Sequence, residues 1–345
     1  MKSYATLRGR KGTFSLLIHK RTLLLTLLFA LLVIAAAVVS LGIGELKIHP
    51  VDVLKVFAGM GTEQNEIVVK QFRLPRVLVA ILVGAALAAA GAIMQGIVRN
   101  PLASPDILGI TGGASVTAVG FLLYFDTVSI KWLPPAAFAG ATLITLVIYA
   151  LAWKKGVSSL RLVMIGVGMK IAANAVITIL IMFSPFILQN KATLWLTGSI
   201  YGVDWNDVQL IAPWIVILLL LALLMTRRVN VQQLGDEIAT GVGTRIQFDR
   251  FALLVICAAL TGAAVAVGGE ISFVALLAPH IAKQMTGPSF GGAMPLSACV
   301  GALIVVVADL IARTAFSPID VPVGVFTSAV GAPFFIYLLY RNRKR

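Results

Sequence analysis

Residues Gly84-Ala85-Ala86-Leu87-Ala88-Ala89-Ala90-Gly91-Ala92-Ile93 return 178 positions later as Gly262-Ala263-Ala264-Val265-Ala266-Val267-Gly268-Gly269-Glu270-Ile271, with six of the ten positions identical. The same offset carries Pro101 onto Pro279, Gly109 onto Gly287 and Gly113 onto Gly291. Both copies are apolar and built from small residues. What such a repeat means depends on how often the chain crosses a membrane between them.

A bilayer core is ~30 Å thick, so a spanning helix needs about 20 mostly apolar residues. Ten stretches qualify: 23–44, 74–98, 107–124, 132–153, 162–184, 208–225, 251–268, 271–286, 293–312 and 322–340. The eighth is short, and Gly268-Gly269 before it suggests a re-entrant start. The first follows a basic segment, as a signal peptide would, but it runs on to full span length and is read as retained. The composition agrees. Of 345 residues, 59% are hydrophobic and 12% charged, with mean hydropathy +0.98. A soluble domain is about a quarter charged, and a disordered chain is poor in apolar residues, so both classes are excluded. The two cysteines, Cys257 and Cys299, lie in apolar runs, which leaves no disulfide scaffold.

Charge placement orients the spans. With a cytosolic N-terminus, 19 of the 28 Lys/Arg residues fall on the cytosolic side, eight fall outside, and Lys170 lies within a span. Asp106, Asp236, Glu237 and Asp249 fall inside and ten acids fall outside. Orientation follows the Lys/Arg bias near span ends, so the net charge of +14 reports topology, not a nucleic-acid footprint. The expected fold is an all-α membrane protein of about ten transmembrane helices. Spans 2 and 7 are five crossings apart, so they run in opposite senses, and spans 2–5 and 7–10 form an inverted repeat. Inverted repeats mark transporters, with the pathway at the repeat interface. Chance identity and close helix packing by small residues are the alternatives.

Catalytic chemistry is absent. There is no Gly-x-x-x-x-Gly-Lys-Ser/Thr, so this sequence carries no phosphate-cradling loop of its own. There is no His-Glu-x-x-His, and His19, His49 and His280 fall in three regions, so no zinc site is readable. Gly287-Pro288-Ser289-Phe290-Gly291 has the spacing of a nucleophile elbow but joins two spans instead of a strand and a helix, and reads as a turn. Intramembrane carboxylates are scarce, which weakens a proton-coupled mechanism.

Several segments together resemble the permease subunits of binding-protein-dependent ABC importers for iron-siderophores, haem and cobalamin. They are Arg73-Leu74-Pro75-Arg76 leading into the first repeat copy and Gln95, then Asn100-Pro101-Leu102-Ala103-Ser104-Pro105 running into Leu108-Gly109-Ile110-Thr111-Gly112-Gly113. Gly269-Glu270-Ile271-Ser272-Phe273-Val274 with Leu277-Ala278-Pro279-His280 follows, then Ala308-Asp309-Leu310-Ile311-Ala312-Arg313 and Pro322-Val323-Gly324-Val325-Phe326-Thr327. The likeness covers roughly residues 40 to 340. It implies a type II ABC importer permease, one transmembrane domain over 1–345 with a cytosolic basic N-terminus at 1–22, a coupling loop at 227–250 and a basic tail at 341–345. It further implies a bacterial cytoplasmic-membrane location and no enzymatic activity. The partners implied are two ATPase subunits, which carry ATP and Mg, an extracytoplasmic substrate-binding protein, and a second permease, identical or paralogous. No cofactor, resident metal or nucleic acid is expected on this chain. The cargo expected is a ferric siderophore, with cobalamin or haem as the alternative. An ion- or proton-coupled carrier is the rival from another class.

The resemblance also nominates sites. Arg73 and Arg76 at the outer mouth of span 2, and Arg313 at the outer end of span 9, match arginines that meet glutamates of the binding protein. Interfacial anchoring, or for Arg313 an i,i+4 pair with Asp309, is the structural alternative. Leu234, Gly235, Asp236, Glu237, Ala239, Gly241 and Gly243 match the loop that seats in the ATPase, and read as two short helical pieces broken by glycine. Asn100, Leu102, Ser158 and Ser159 match the inner gate, although caps and turns use the same residue types. Lys170 departs from the family pattern. A cation ~12 Å up span 5 either faces an anionic cargo or snorkels to the inner interface. His280 and the prolines of spans 8 and 10 read as structural.

Overall fold

All ten apolar stretches are helices in the computed structural model, which describes residues 4–8, 15–44, 46–125, 129–154, 156–316 and 320–342. A two-stranded antiparallel hairpin, β1 (Tyr4–Arg8) with β2 (Ser15–His19), precedes them. The helical reading does not predict it. The tail residues Arg343, Lys344 and Arg345, and the basic residues Lys2, Arg10, Lys11 and Lys155, lie outside the described residues.

The first span is α1 (Lys20–Gly42), followed by two short helices, α2 (Pro50–Phe57) and α3 (Glu63–Ile67), and a π-helical turn at Val68–Arg73. Span 2 is α4 (Leu74–Val98), span 3 is α5 (Ile110–Tyr124), span 4 is α6 (Leu133–Ala152) and span 5 is α7 (Ser159–Met182). A short helix, α8 (Phe186–Leu196), leads to span 6, α9 (Trp205–Leu224). Two further short helices, α10 (Thr226–Gln233) and α11 (Asp236–Gly241), precede span 7, α12 (Ile246–Gly268). Spans 8 to 10 are α13 (Val274–Thr286), α14 (Phe290–Thr314) and α15 (Val323–Asn342).

Burial ranks the helices. The most apolar window of the α4 segment is 78% buried within the chain and that of α12 67%, whereas α1 is 11% buried and α7 17%. The two repeat helices therefore form the centre, and the all-round apolar α1 and α7 stand at the perimeter. Small residues make the central position accessible. A Cβ on Gly84 would sit 2.3 Å from the Gly301 carbonyl oxygen of α14. Its repeat mate Gly262 packs on α6, against Phe138 and Ala141. Span 2 thus lies on span 9 as span 7 lies on span 4, the reciprocal arrangement an inverted repeat requires.

The sequence offset stops describing the structure at Gly91 and Gly269. Helix α4 runs on through Gly91 to Val98, where Arg99 adopts a left-handed cap (φ +58) before Asn100-Pro101. Helix α12 instead ends at Gly268, and residues 269–273 are irregular, with Gly269 at φ +66 and Phe273 at φ +67. Consequently Pro101 lies in a turn while Pro279 lies inside α13, and Gly113 of span 3 maps onto the start of span 9. The offset pairs beyond Gly91 are therefore not structural equivalents.

Spans 3 and 8 are shorter than their apolar stretches. Helix α5 has 15 residues and α13 has 13, or ~20 Å at 1.5 Å per residue, too short for the hydrocarbon core. The missing length is irregular backbone: residues 99–109 before α5 and residues 269–273 before α13. Such backbone is tolerated at membrane depth only when protein or a wet cavity surrounds it. Residues 99–109 meet this condition with internal turns. The amides of Ala103, Gly109 and Ile110 donate to the carbonyls of Asn100, Asp106 and Pro105 at 3.1, 3.0 and 3.0 Å. Spans 3 and 8 are thus alike in opening on irregular backbone that leads into a short helix.

Candidate functional site

Three groups of polar side chains stand out: one at each end of the bundle and one between. At the end bearing α2 and α3, Arg73, Arg76 and Arg313 are brought together. Arg73 is buried and donates to the carbonyls of Leu41 and Gly42 at 2.7 and 3.1 Å, and to Leu46 at 2.6 Å, capping the end of α1. Arg76 Nε donates to Asp309 Oδ1 at 2.9 Å, and its two terminal nitrogens form a fork onto Asp320 at 2.6 and 3.0 Å. Arg313 bonds Ile43 O at 2.7 Å and Ser40, with Asp309 at 3.6 Å from its Nε. All three guanidiniums thus have acceptors within the chain, tying spans 1, 2 and 9 to the segment entering span 10. The i,i+4 pair of Asp309 with Arg313 is present as well. These arginines frame a cavity of about 1200 Å³ that also exposes Lys131, Ser199, Asp204 and Asp207. Asp204 caps α9, and the Asn206 side-chain amide, with backbone amides, holds its carboxyl below the ordinary range.

Removing one partner of a buried pair typically costs about 3–5 kcal/mol, because the other charge is left uncompensated. Arg76→Met leaves the buried Asp309 with only its longer, 3.6 Å contact to Arg313, and is expected to lower permease stability by about 3 kcal/mol, the lower end of that range. Thermal unfolding in detergent reads the loss. Arg76→Lys should restore only part of it, since a lysine cannot fork across two carboxylates. An unshifted melting temperature for Arg76→Met would show the network to be inert.

At the opposite end, α10 and α11 meet at Gly235 (φ +110), the glycine break expected from the sequence. Asp236 is held at 3.3 Å by Arg99 and by Nη2 of the buried Arg250, which donates to both carboxylate oxygens at 3.0 Å. Arg250 also donates to Val157 O, and the Gln247 side chain accepts from Val157 N at 2.9 Å, so the span 4–5 connection shares this anchor. Ala239 is buried, whereas Glu237, Gly241 and Gly243 are exposed. Leu234, Ile238 and Val242 are 60%, 54% and 63% exposed. They leave three exposed apolar side chains on a polar segment, Leu234 before the Gly235 break and Ile238 and Val242 one turn apart after it. Sequence reasoning does not nominate Ile238 and Val242.

The gate residues adopt local roles. Asn100 Oδ1 accepts from Leu102 N at 2.9 Å, making a turn. Ser158 caps α7, accepting from Arg161 N at 3.4 Å, and Ser159 Oγ donates to Ile97 O at 2.9 Å, tying α7 to the end of α4. His280 lies 2.7 Å from the Gln284 side chain and packs on Phe334. Among the described residues no cluster of His, Cys, Asp and Glu could hold a metal.

The third group joins residues that span counting places at different levels. Lys170 Nζ lies 2.7 Å from Asp106 Oδ1, and Thr111 Oγ1 donates to the same oxygen at 3.1 Å. Glu270 faces both residues, and Ser115 Oγ donates to its Oε2 at 3.0 Å. Lys170 is therefore paired within the chain. The sequence reading set Asp106 at the cytosolic surface and Glu270 outside. Because residues 99–109 and 269–273 both dip into the bundle, the two acids meet.

Residues 31–341 match the model of the FecCD transport family. The chain is 47% identical over 335 residues to the achromobactin transport system permease protein CbrC of Dickeya dadantii (strain 3937), covering 97% of this chain and 96% of the relative. It is 42% identical to the iron(3+)-hydroxamate import system permease protein FhuG of Bacillus subtilis (strain 168), covering 90% and 95%. A solved metal-chelate type ABC transporter in an inward-facing conformation superposes with a TM-score of 0.81 at 27% identity, over 92% of this chain and 98% of that one.

Proposed function

This chain belongs to the FecCD transport family, and from that premise we propose that it is the membrane subunit of an ABC importer carrying a ferric siderophore into the cytoplasm. The observation that carries the reading is the near-full-length likeness to permeases named for achromobactin and iron(3+)-hydroxamate. The chain performs no covalent chemistry. Two ATPase subunits bind ATP and Mg and dock on the α10–α11 end. A second permease, identical or paralogous, completes the conduit. The protein sits in a bacterial cytoplasmic membrane with both termini cytosolic, in keeping with the Lys/Arg bias.

The coupling contact is assigned to the stretch from Leu234 to Gly243. Its three exposed apolar side chains supply area to be buried, Gly235 lets α11 turn away from α10, and Gly241 and Gly243 keep the far end free of side chains. Asp236 faces inward and fixes the stretch to α12 and α4. The outer rim with its cavity is assigned to a binding protein. Arg73, Arg76 and Arg313 shape that rim, and any pairing with acids on a partner competes with Asp309 and Asp320. Asn100, Leu102, Ser158 and Ser159 are assigned to the inner gate, and Lys170 to the pathway wall.

Cells that lack this permease and make no siderophore of their own test the cargo. Iron-55 supplied as citrate, hydroxamate or catecholate chelates should enter with one chelate class only when the permease gene is restored. Equal uptake with and without the gene, for every class, would refute the siderophore reading.

A further inference from the structure

Lys170 pairs with one carboxylate, Asp106, at 2.7 Å, and a second, Glu270, held by Ser115 one helical turn from the Thr111 that bonds Asp106, lies beside that pair but beyond 4 Å of the ammonium. Asp106 belongs to residues 99–109, which start at the α10–α11 end, where Arg99 is paired with Asp236 at 3.3 Å. Glu270 belongs to residues 269–273, which enter from the rim end. The backbone on that side is tightly joined. A Cβ on Gly269 would lie 2.4 Å from Trp195 O, one on Gly198 would lie 2.8 Å from Glu270 O, and Gly324 N donates to Gly198 O at 2.9 Å. On the other side, a Cβ on Gly109 would lie 3.0 Å from both Gly166 O and Lys170 N, so residues 99–109 are pressed onto α7 beside the lysine.

These contacts make a continuous line from Asp236, through Arg99, Asp106, Lys170 and Glu270, to the segments that open span 6 and span 10. A line of contacts transmits nothing unless it contains an element with two arrangements. The lysine supplies one. Its ammonium bonds Asp106, while Glu270, held by Ser115, stands by as a second acceptor. A cation within a span costs several kcal/mol when unpaired, and this one is only 30% exposed, so a shift of α7 against either loop would favour moving the ammonium to the other acid over releasing it.

We propose that Asp106 and Glu270 are positioning residues for a two-position Lys170 contact, which passes movement at the ATPase-facing end to the opposite mouth. The inference rests on the importer reading for what drives the movement, but the exchange itself is testable without it.

The test uses the complete importer in proteoliposomes, with a single reporter, Ser199→Cys, at the rim cavity, and with Cys257 and Cys299 replaced by alanine. A membrane-impermeant maleimide is the probe. In the present arrangement Lys170 holds Asp106. Glu270→Gln removes the competing acid and Asp106→Asn removes the current one, so the two variants should shift the resting labelling rate in opposite directions, each at least threefold. With Lys170→Met neither substitution should shift it further. A merely structural cluster would move both variants the same way. A common direction, no change in either variant, or full shifts persisting in the Lys170→Met background would overturn the proposal. Should Asp106→Asn fail to assemble, the other arms still decide: a Glu270→Gln shift below threefold, or one that persists undiminished with Lys170→Met, overturns the proposal. Nucleotide separates the two readings. If ATP leaves wild-type labelling unchanged while the resting shifts remain opposed, the importer assignment fails and the lysine contact stands.

Discussion

Gly91→Ala yields a permease that fails to accumulate in the membrane. The added methyl carbon would lie 1.7 Å from the Ala275 carbonyl oxygen and 2.9 Å from its Cα. That obstacle is backbone, so no rotamer change relieves it, and α4 and α13 must separate. Overpacking of a core commonly costs about 1–3 kcal/mol. This site should exceed that range, because α4 is the most buried helix and the obstructing carbonyl lies in the first turn of a short span. Membrane-fraction immunoblots and size-exclusion profiles check it. Gly120→Ala, where nothing lies within 4 Å, is the control and should accumulate as wild type. Normal yield and a monodisperse profile for Gly91→Ala would mean that the packing described here is wrong.

The second large effect concerns the ATPase. Replacing Leu234, Ile238 and Val242 together by serine should leave an inserted, monodisperse permease that no longer retains its ATPase. The three side chains touch no core that depends on them, so folding is spared. Full burial of a leucine or isoleucine is worth roughly 1.5–3 kcal/mol, so losing three in one interface lowers affinity by several orders of magnitude. Co-purification through a tag on the permease reads the outcome directly. Undiminished ATPase recovery would remove this stretch from the interface.

Much of the fold was legible because the bilayer imposes a length. Ten runs of about 20 apolar residues gave ten helices. Gly84 and Gly262 revealed the repeat because both are fixed by the same demand, close approach to a crossing helix. Beyond Gly91 and Gly269 that demand differs: one helix continues and the other breaks. Identity at a constant offset therefore no longer tracked the structure.

The sites were less legible for a different reason. Counting spans assigns each loop a side and hence a depth, which placed Asp106, Lys170 and Glu270 apart. Only the short helices α5 and α13 show that residues 99–109 and 269–273 penetrate. The glycine and acid pattern drew attention to Gly235, Asp236 and Glu237, whereas the exposed surface is carried by Leu234, Ile238 and Val242. Arg73, Arg76 and Arg313 were nominated as a group, and they do meet. Apart from the i,i+4 pair of Asp309 with Arg313, their acceptors, the carbonyls of Leu41 and Ile43 and the carboxylates that Arg76 reaches on Asp309 and Asp320, come from distant segments that no local pattern connects.

The central claim is that transport through this chain is powered by nucleotide hydrolysis on another subunit. Proteoliposomes holding the permease with its ATPase, supplied with loaded binding protein and an iron-55 chelate, test it most directly. Accumulation should require ATP and binding protein together, and should be indifferent to collapse of proton and sodium gradients. Accumulation driven by either gradient without nucleotide would contradict the account.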